Sequence, residues 1–137
     1  MKKLLIFIMT LFMPIAVVAE VAVVVAASSP LSSIDLKELE KLYLGKSKSL
    51  GDVSVSALNQ VDSSDVTTEF NRVLLNKSNS QVKAYWSKLV FTGKGTPPKE
   101  FNSDSEVIQA LKNDSSAIGY IDAGAVSGDV KVLTTLK

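Results

Sequence analysis

Val21-Ala-Val-Val-Val25 is an unbroken apolar run just behind Glu20. A strand that is apolar at every position has to be covered on both faces, as a buried parallel strand is. That requirement points to an α/β arrangement, a mostly parallel sheet with helices on both faces. Ala26-Ala-Ser-Ser-Pro30 ends the run with small and hydroxyl residues.

The rest of the chain fits such a frame. Ser32 or Ser33 is placed to cap a helix with Asp35 in its first turn, and Leu36, Leu39, Leu42 and Tyr43 then share one face. Gly45 stands where a left-handed C-cap is wanted. Val53-Ser-Val-Ser-Ala57 alternates like a half-buried strand, followed by Val66, Phe70, Val73 and Leu74 at helical spacing. Ser80 opens a further helix with Val82, Tyr85, Trp86, Leu89 and Val90 in an apolar stripe, which reads as core. Gly93 to Pro98 reads as loop, and Ser103-Asp-Ser-Glu106 has capping-box spacing ahead of Val107, Ile108 and Leu111. Ala117 to Ile121 reads as a strand whose Gly119 marks a close backbone approach, and Val130 to Leu133 as a last short strand. Leu42-Tyr-Leu-Gly-Lys46 and Val90-Phe-Thr-Gly-Lys94 echo each other as two helix ends rather than as a repeat.

Met1-Lys-Lys3, the apolar stretch Leu4 to Val18 and the small residues before Glu20 have the pattern of a cleaved secretory signal peptide. Residues 1–19 are therefore expected to be removed, leaving 20–137 as a single exported domain that does not span the membrane. With 15 basic and 14 acidic residues in all, the chain offers no basic face for nucleic acid. It contains neither cysteine nor histidine. Disulfides, Ser-His-Asp and Cys-His nucleophile systems, and zinc sites built on those ligands are all excluded. No catalytic constellation, metal site or cofactor motif stands out, so an enzyme is not expected. Gly45-Lys46-Ser47 fails as a P-loop, because Glu40 occupies the required glycine position and the tripeptide ends a helix instead of opening one.

One stretch is placed to carry binding chemistry. Val61-Asp-Ser-Ser-Asp-Val-Thr-Thr-Glu-Phe70 follows a strand and begins a helix, where hydroxyls and backbone N–H groups can cradle an oxyanion. The same residues make a self-capped helix start, with Asp62, Ser63 or Ser64 as N-cap. In order, the segments "LEKLYLGKSKSL", "VSALNQVDSSDVTTEFNRVLL", "KAYWSKLVFTGKGTPPKEF" and "AIGYIDAGAV" make the chain resemble the phosphate-type periplasmic substrate-binding proteins of ABC transporters, and more closely their short single-lobe relatives. The likeness runs from about Val21 to Val132.

That resemblance implies one lobe of periplasmic-binding-protein type, where full-length members have two with the ligand between them. In phosphate binders of the family the matching loop typically carries an arginine, then Gly-Ser-Gly-Thr, then a phenylalanine. Counted back from Phe70, Gln60 stands at the arginine and Ser63-Ser64-Asp65-Val66 at the tetrapeptide, so only Ser64 is kept. Glutamine cannot give the bidentate grip of arginine, and Asp65 would compete with a bound anion.

Two functions follow as expectations. The first is recognition of phosphate or a similar small oxyanion by Gln60, Ser63, Ser64, Asp65, Thr67 and Thr68, with Ser28 and Ser29 approaching from the same sheet edge. Lys46, Lys48 and Lys94 could steer such an anion, and dimerisation or a partner lobe would supply the missing wall. The alternative is a module that keeps the lobe, has lost anion binding, and docks on an ABC transporter or another envelope protein.

Overall fold

In the computed structural model the described residues are 10–13 and 19–137, so most of the leader expected over 1–19 lies outside them. β1 (Val21–Ala26) leads to α1 (Leu36–Tyr43), then to a small hairpin of β2 (Ser49–Leu50) and β3 (Val53–Ser54). β4 (Ser56–Gln60) follows, then α2 (Asp65–Phe70), which runs on into a π-helical turn over Asn71–Leu75. The chain continues through α3 (Asn79–Phe91), β5 (Lys99–Phe101), α4 (Asp104–Asn113), β6 (Ala117–Asp122) and β7 (Val130–Leu136). No helix among the described residues is long and apolar enough to cross a membrane.

The main sheet has the order β5-β4-β6-β1-β7. β4 is parallel to β5 and β6, while β1 is antiparallel to both β6 and β7. Four strands thus run one way and β1 alone runs against them. The sheet is mostly parallel as expected, but the reading of Val21–Val25 as a parallel strand is corrected. An apolar run records coverage on two faces, which β1 has, and carries no information on direction.

Every residue of β1 is buried. Val21, Val23 and Val25 join Ile118 and Tyr120 in one core under α1, α2 and α3, while Ala22 and Val24 join Ile121, Val107 and Leu111 in a second core under α4. Helices therefore cover both faces. α4 comes close because Gly119 has no side chain: a Cβ there would stand 2.8 Å from Val107 Cγ1.

The helix boundaries follow local chemistry. Asp35, not Ser32 or Ser33, caps α1, accepting from the N–H groups of Lys37 at 2.8 Å and Glu38 at 3.2 Å. Leu36 is accordingly half exposed, while Leu39, Leu42 and Tyr43 are buried. α3 starts at Asn79, one residue earlier than Ser80, with Ser78 as N-cap and Ser78 and Gln81 forming a capping box. Ser103 caps α4, but Glu106 reaches back to the N–H of Asn102 instead of closing the box on Ser103. The two echoed segments end α1 and α3 with the same hydrogen-bond pattern, including Lys46 N–H to Lys41 O and Lys94 N–H to Leu89 O. Gly45 and Gly93 take φ of 72° and 68° there.

Candidate functional site

β4 and β6 end side by side, and the turn after β4 carries the segment singled out by the sequence. Ser64 is the N-cap of α2, with its carbonyl accepting from the N–H groups of Thr67 at 3.1 Å and Thr68 at 3.3 Å. Its hydroxyl makes no capping bond and lies 3.4 Å from Gln60 Oε1. The backbone N–H groups of Asp65 and Val66, the first of the helix, have no partner among the described residues. Ser63 and Asp65 are exposed beside them.

Gln60 is 2 % exposed and its side chain is fully engaged. Its amide nitrogen donates to Asp104 Oδ1 at 2.8 Å and to Tyr120 O at 2.9 Å. Thr67 is buried with its hydroxyl oxygen 3.2 Å from the Tyr120 hydroxyl. Thr68 Oγ1 accepts from Asn79 Nδ2 at 2.9 Å, and the same amide donates to Asp62 O at 3.0 Å. Of the expected residues, Gln60, Ser63, Ser64, Asp65, Thr67 and Thr68 are brought together. Gln60 and Thr67 face inward and hold the turn.

Ser28 and Ser29 do not join them, which corrects the expectation of a shared edge. Because β1 runs against β6, with Val21 opposite Asp122 and Val25 opposite Ile118, residues beyond Ala26 emerge at the other end of the sheet. There the buried Ser29 hydroxyl accepts from Leu31 N–H at 3.2 Å, and Ser28 is exposed.

Four residues at the site escaped the sequence reading: Asn59, Asn79, Asp104 and Tyr120. Tyr120 is the hub. Its hydroxyl donates to Asn59 Oδ1 and accepts from Gln60 N–H at 3.2 Å, while its ring stacks on Phe70 with centroids 3.8 Å apart. Burial pushes the Tyr120 hydroxyl up to about 12, so it stays a neutral donor. Asn59 and Asn79 also line an open groove of about 640 Å³ beside α3, together with Asp62, Lys83, Trp86 and Phe91. Asn59, next to Gln60 in β4, was the one available signal; the partners of Asp104 and Tyr120 stand 18 to 61 positions away and leave no local trace.

The electrostatics of the turn are acidic. Asp62, Asp65 and Asp104 surround it, and no lysine or arginine among the described residues makes an ion pair with residues 60–68. The turn offers N–H groups and hydroxyls, but no cation of its own. Among the described residues no group of three or more acidic side chains is arranged to hold a metal ion.

The fold resembles about half of each of several solved substrate-binding proteins of phosphate ABC transporters. It superposes on an ABC-type phosphate transport receptor from Vibrio cholerae with a TM-score of 0.65 at 19 % identity, over 85 % of this chain and 47 % of that one. A phosphate ABC transporter substrate-binding protein with bound phosphate from Clostridium perfringens gives 0.66 at 14 % identity, over 85 % and 46 %. PstS from Borrelia burgdorferi gives 0.61 at 18 % identity, over 85 % and 47 %. The chain thus spans about half the length of these structures. No family model matches it, and no curated protein matches it in sequence.

Proposed function

We propose that the chain is an exported, periplasmic, non-enzymatic solute-recognition lobe that holds a small oxyanion such as phosphate at the Ser63–Val66 turn. The observation that carries this reading is the pair of N–H groups at Asp65 and Val66 that have no partner among the described residues, next to the hydroxyls of Ser63 and Ser64. They sit beyond the carboxyl ends of parallel strands, where α/β proteins place ligands. The neighbours in fold include a phosphate transporter protein with phosphate bound.

The acidic rim shapes what such a site accepts. Asp65 repels a fully deprotonated anion but accepts a hydrogen bond from a protonated one. Monohydrogen phosphate is then favoured over sulfate, which has no proton to give at neutral pH. Without an arginine, and with one wall only, binding is weak, and a second lobe from a homodimer or partner would strengthen it.

The test is calorimetric titration of phosphate-stripped protein with phosphate, and with sulfate for comparison. Saturable heat with phosphate, absent with sulfate and abolished by Ser64→Asp, supports the reading. No heat and no thermal stabilisation at millimolar phosphate sinks it.

A second reading, a protein-interaction module for an ABC transporter or another envelope protein, is favoured by a different observation. The Gln60 amide is consumed by Asp104 and Tyr120, and Phe91 at the groove rim is 92 % exposed. On that reading the turn is a helix cap and Phe91 an anchor for a partner.

A further inference from the structure

We propose that a glycine-lined pocket at the opposite end of β4 binds an organic anion bearing an apolar group, held between Lys48 and Lys94 and against Trp86. The inference does not rest on the oxyanion site at the Ser63–Val66 turn.

The pocket encloses about 620 Å³ between the ends of α1 and α3 and the start of β4. None of the residues lining it is acidic, whereas the groove on the other side of Trp86 is lined by Asp62 and Glu100 as well as Lys83. Neither Lys48 nor Lys94 has an ion-pair partner among the described residues. Both are exposed at the rim, and Thr96 adds a hydroxyl. Two exposed cations over a concavity without carboxylates make a local positive potential that solvent and salt screen.

Two helix C-termini meet here, and uncapped carbonyls would oppose an anion. They are capped. Gly45 N–H bonds Leu42 O at 3.2 Å and Gly93 N–H bonds Val90 O at 3.1 Å. The Tyr85 hydroxyl donates to Leu44 O at 2.6 Å, which also ties α3 to the end of α1.

The apolar half of the site is Trp86 with Val90 and Val55. Trp86 is wedged between glycines: a Cβ on Gly45 would stand 2.6 Å from its Cη2, and one on Gly95 3.3 Å from its Cζ3. Side chains at either glycine would displace the ring or fill the space beside it. A phosphate or carboxylate head between the lysines, with an aryl or alkyl body against the indole, satisfies both halves of the lining. Inorganic phosphate satisfies only one.

Trp86 is the sole tryptophan and lines both this pocket and the groove beside α3, so its fluorescence detects binding at either, and the lysine variants assign a change to this pocket. The purified protein is titrated with phenyl phosphate, with inorganic phosphate and with benzyl alcohol. The expected result is a saturable change with phenyl phosphate, tighter than with either single-feature probe and weakened by salt. Lys48→Ala and Lys94→Ala should each weaken it about threefold to tenfold, and the double variant further. Lys112→Ala, outside the lining, should leave it unchanged. Far-ultraviolet circular dichroism verifies that each variant is folded. No saturable response, equal affinity for benzyl alcohol, or wild-type affinity in the folded double variant would each overturn the proposal. Loss of phosphate binding through Ser64→Asp alone bears on the other site and not on this one.

Discussion

The Gln60 side-chain amide donates to Asp104 Oδ1 at 2.8 Å, joining the end of β4 to the first turn of α4 across the edge of the sheet. The same carboxylate oxygen accepts from Asp122 N–H at 3.2 Å, so Asp104 braces the carboxyl ends of two parallel strands. Gln60→Ala and Asp104→Ala should each cost about 1–3 kcal/mol, because each leaves a shielded polar partner unmatched. Urea denaturation measures it. The double variant should cost less than the two single losses together, since the partners fail as a unit.

The same pair makes a gain-of-function test. Gln60→Arg introduces a cation at the turn, with Asp104 already in place to hold it. If the Ser63–Val66 turn holds an oxyanion, this variant should bind phosphate at least about tenfold more tightly, as a charge-assisted donor does relative to a neutral one. A folded Gln60→Arg variant with unchanged phosphate affinity would count against the site.

Alkaline pH should unfold the protein through its buried phenols. Burial raises Tyr120 from 10.0 to about 12 and Tyr43 well above its usual value. In the unfolded chain both lose protons near pH 10, while the folded chain keeps them, so the unfolded state binds fewer protons and gains as pH rises. Stability is therefore intact below about pH 10 and falls above it, by about 1.4 kcal/mol per pH unit for each phenol. Melting temperatures taken between pH 9 and 12 should show the decline, and Tyr120→Phe should flatten part of it. A flat profile to pH 12 would contradict the burial of both rings.

Gly45 and Gly93 share a left-handed backbone but not a neighbourhood. A Cβ on Gly93 meets nothing within 4 Å, whereas one on Gly45 meets Trp86 at 2.6 Å. Gly93→Ala should thus cost only the backbone penalty, about 1–2 kcal/mol. Gly45→Ala adds displacement of a packed indole and should cost about 2–5 kcal/mol. Denaturant midpoints, with the Trp86 emission maximum as a second signal, separate the two.

Asn79 ties the start of α3 to the turn before α2. Its amide nitrogen reaches both Asp62 O and Thr68 Oγ1, and its oxygen accepts from Asn71 Nδ2 at 2.9 Å. Asn79→Ala should speed amide hydrogen exchange across residues 62–68 while leaving β1 and β6 protected. Unchanged exchange in the turn would mean that α2 holds itself without this clamp.

Much of this fold was legible because it rests on local or periodic chemistry. The apolar run of β1, the left-handed glycines ending α1 and α3, and the close approach at Gly119 each follow from patterns within a few residues, as does the stripe of α3 except for Val90, which is 52 % exposed past the edge of the core. The turn before α2 was legible too, because an alternating strand, a hydroxyl-rich stretch and a helical repeat follow one another there. Boundaries were less legible: Asp35 and Ser78 outcompete neighbouring hydroxyl residues as caps, a choice made by backbone geometry. β5 went unread because three residues with two charges acquire strand character only by pairing with β4.

The sequence by itself determined that this chain is an α/β lobe, that cysteine and histidine chemistry is closed to it, and that a hydroxyl-rich turn begins α2. Only the tertiary structure decided which way β1 runs, and hence that Ser28 and Ser29 stand at the far end of the sheet from Ser63 and Ser64. It also decided that Gln60 is spent on Asp104 and Tyr120, and that Lys48, Lys94 and Trp86 share one pocket. The physical reason is common to all three. Strand direction, hydrogen-bond partnership and shared cavities are relations between residues far apart in the chain, fixed by how the layers pack and not by any side chain's own preference.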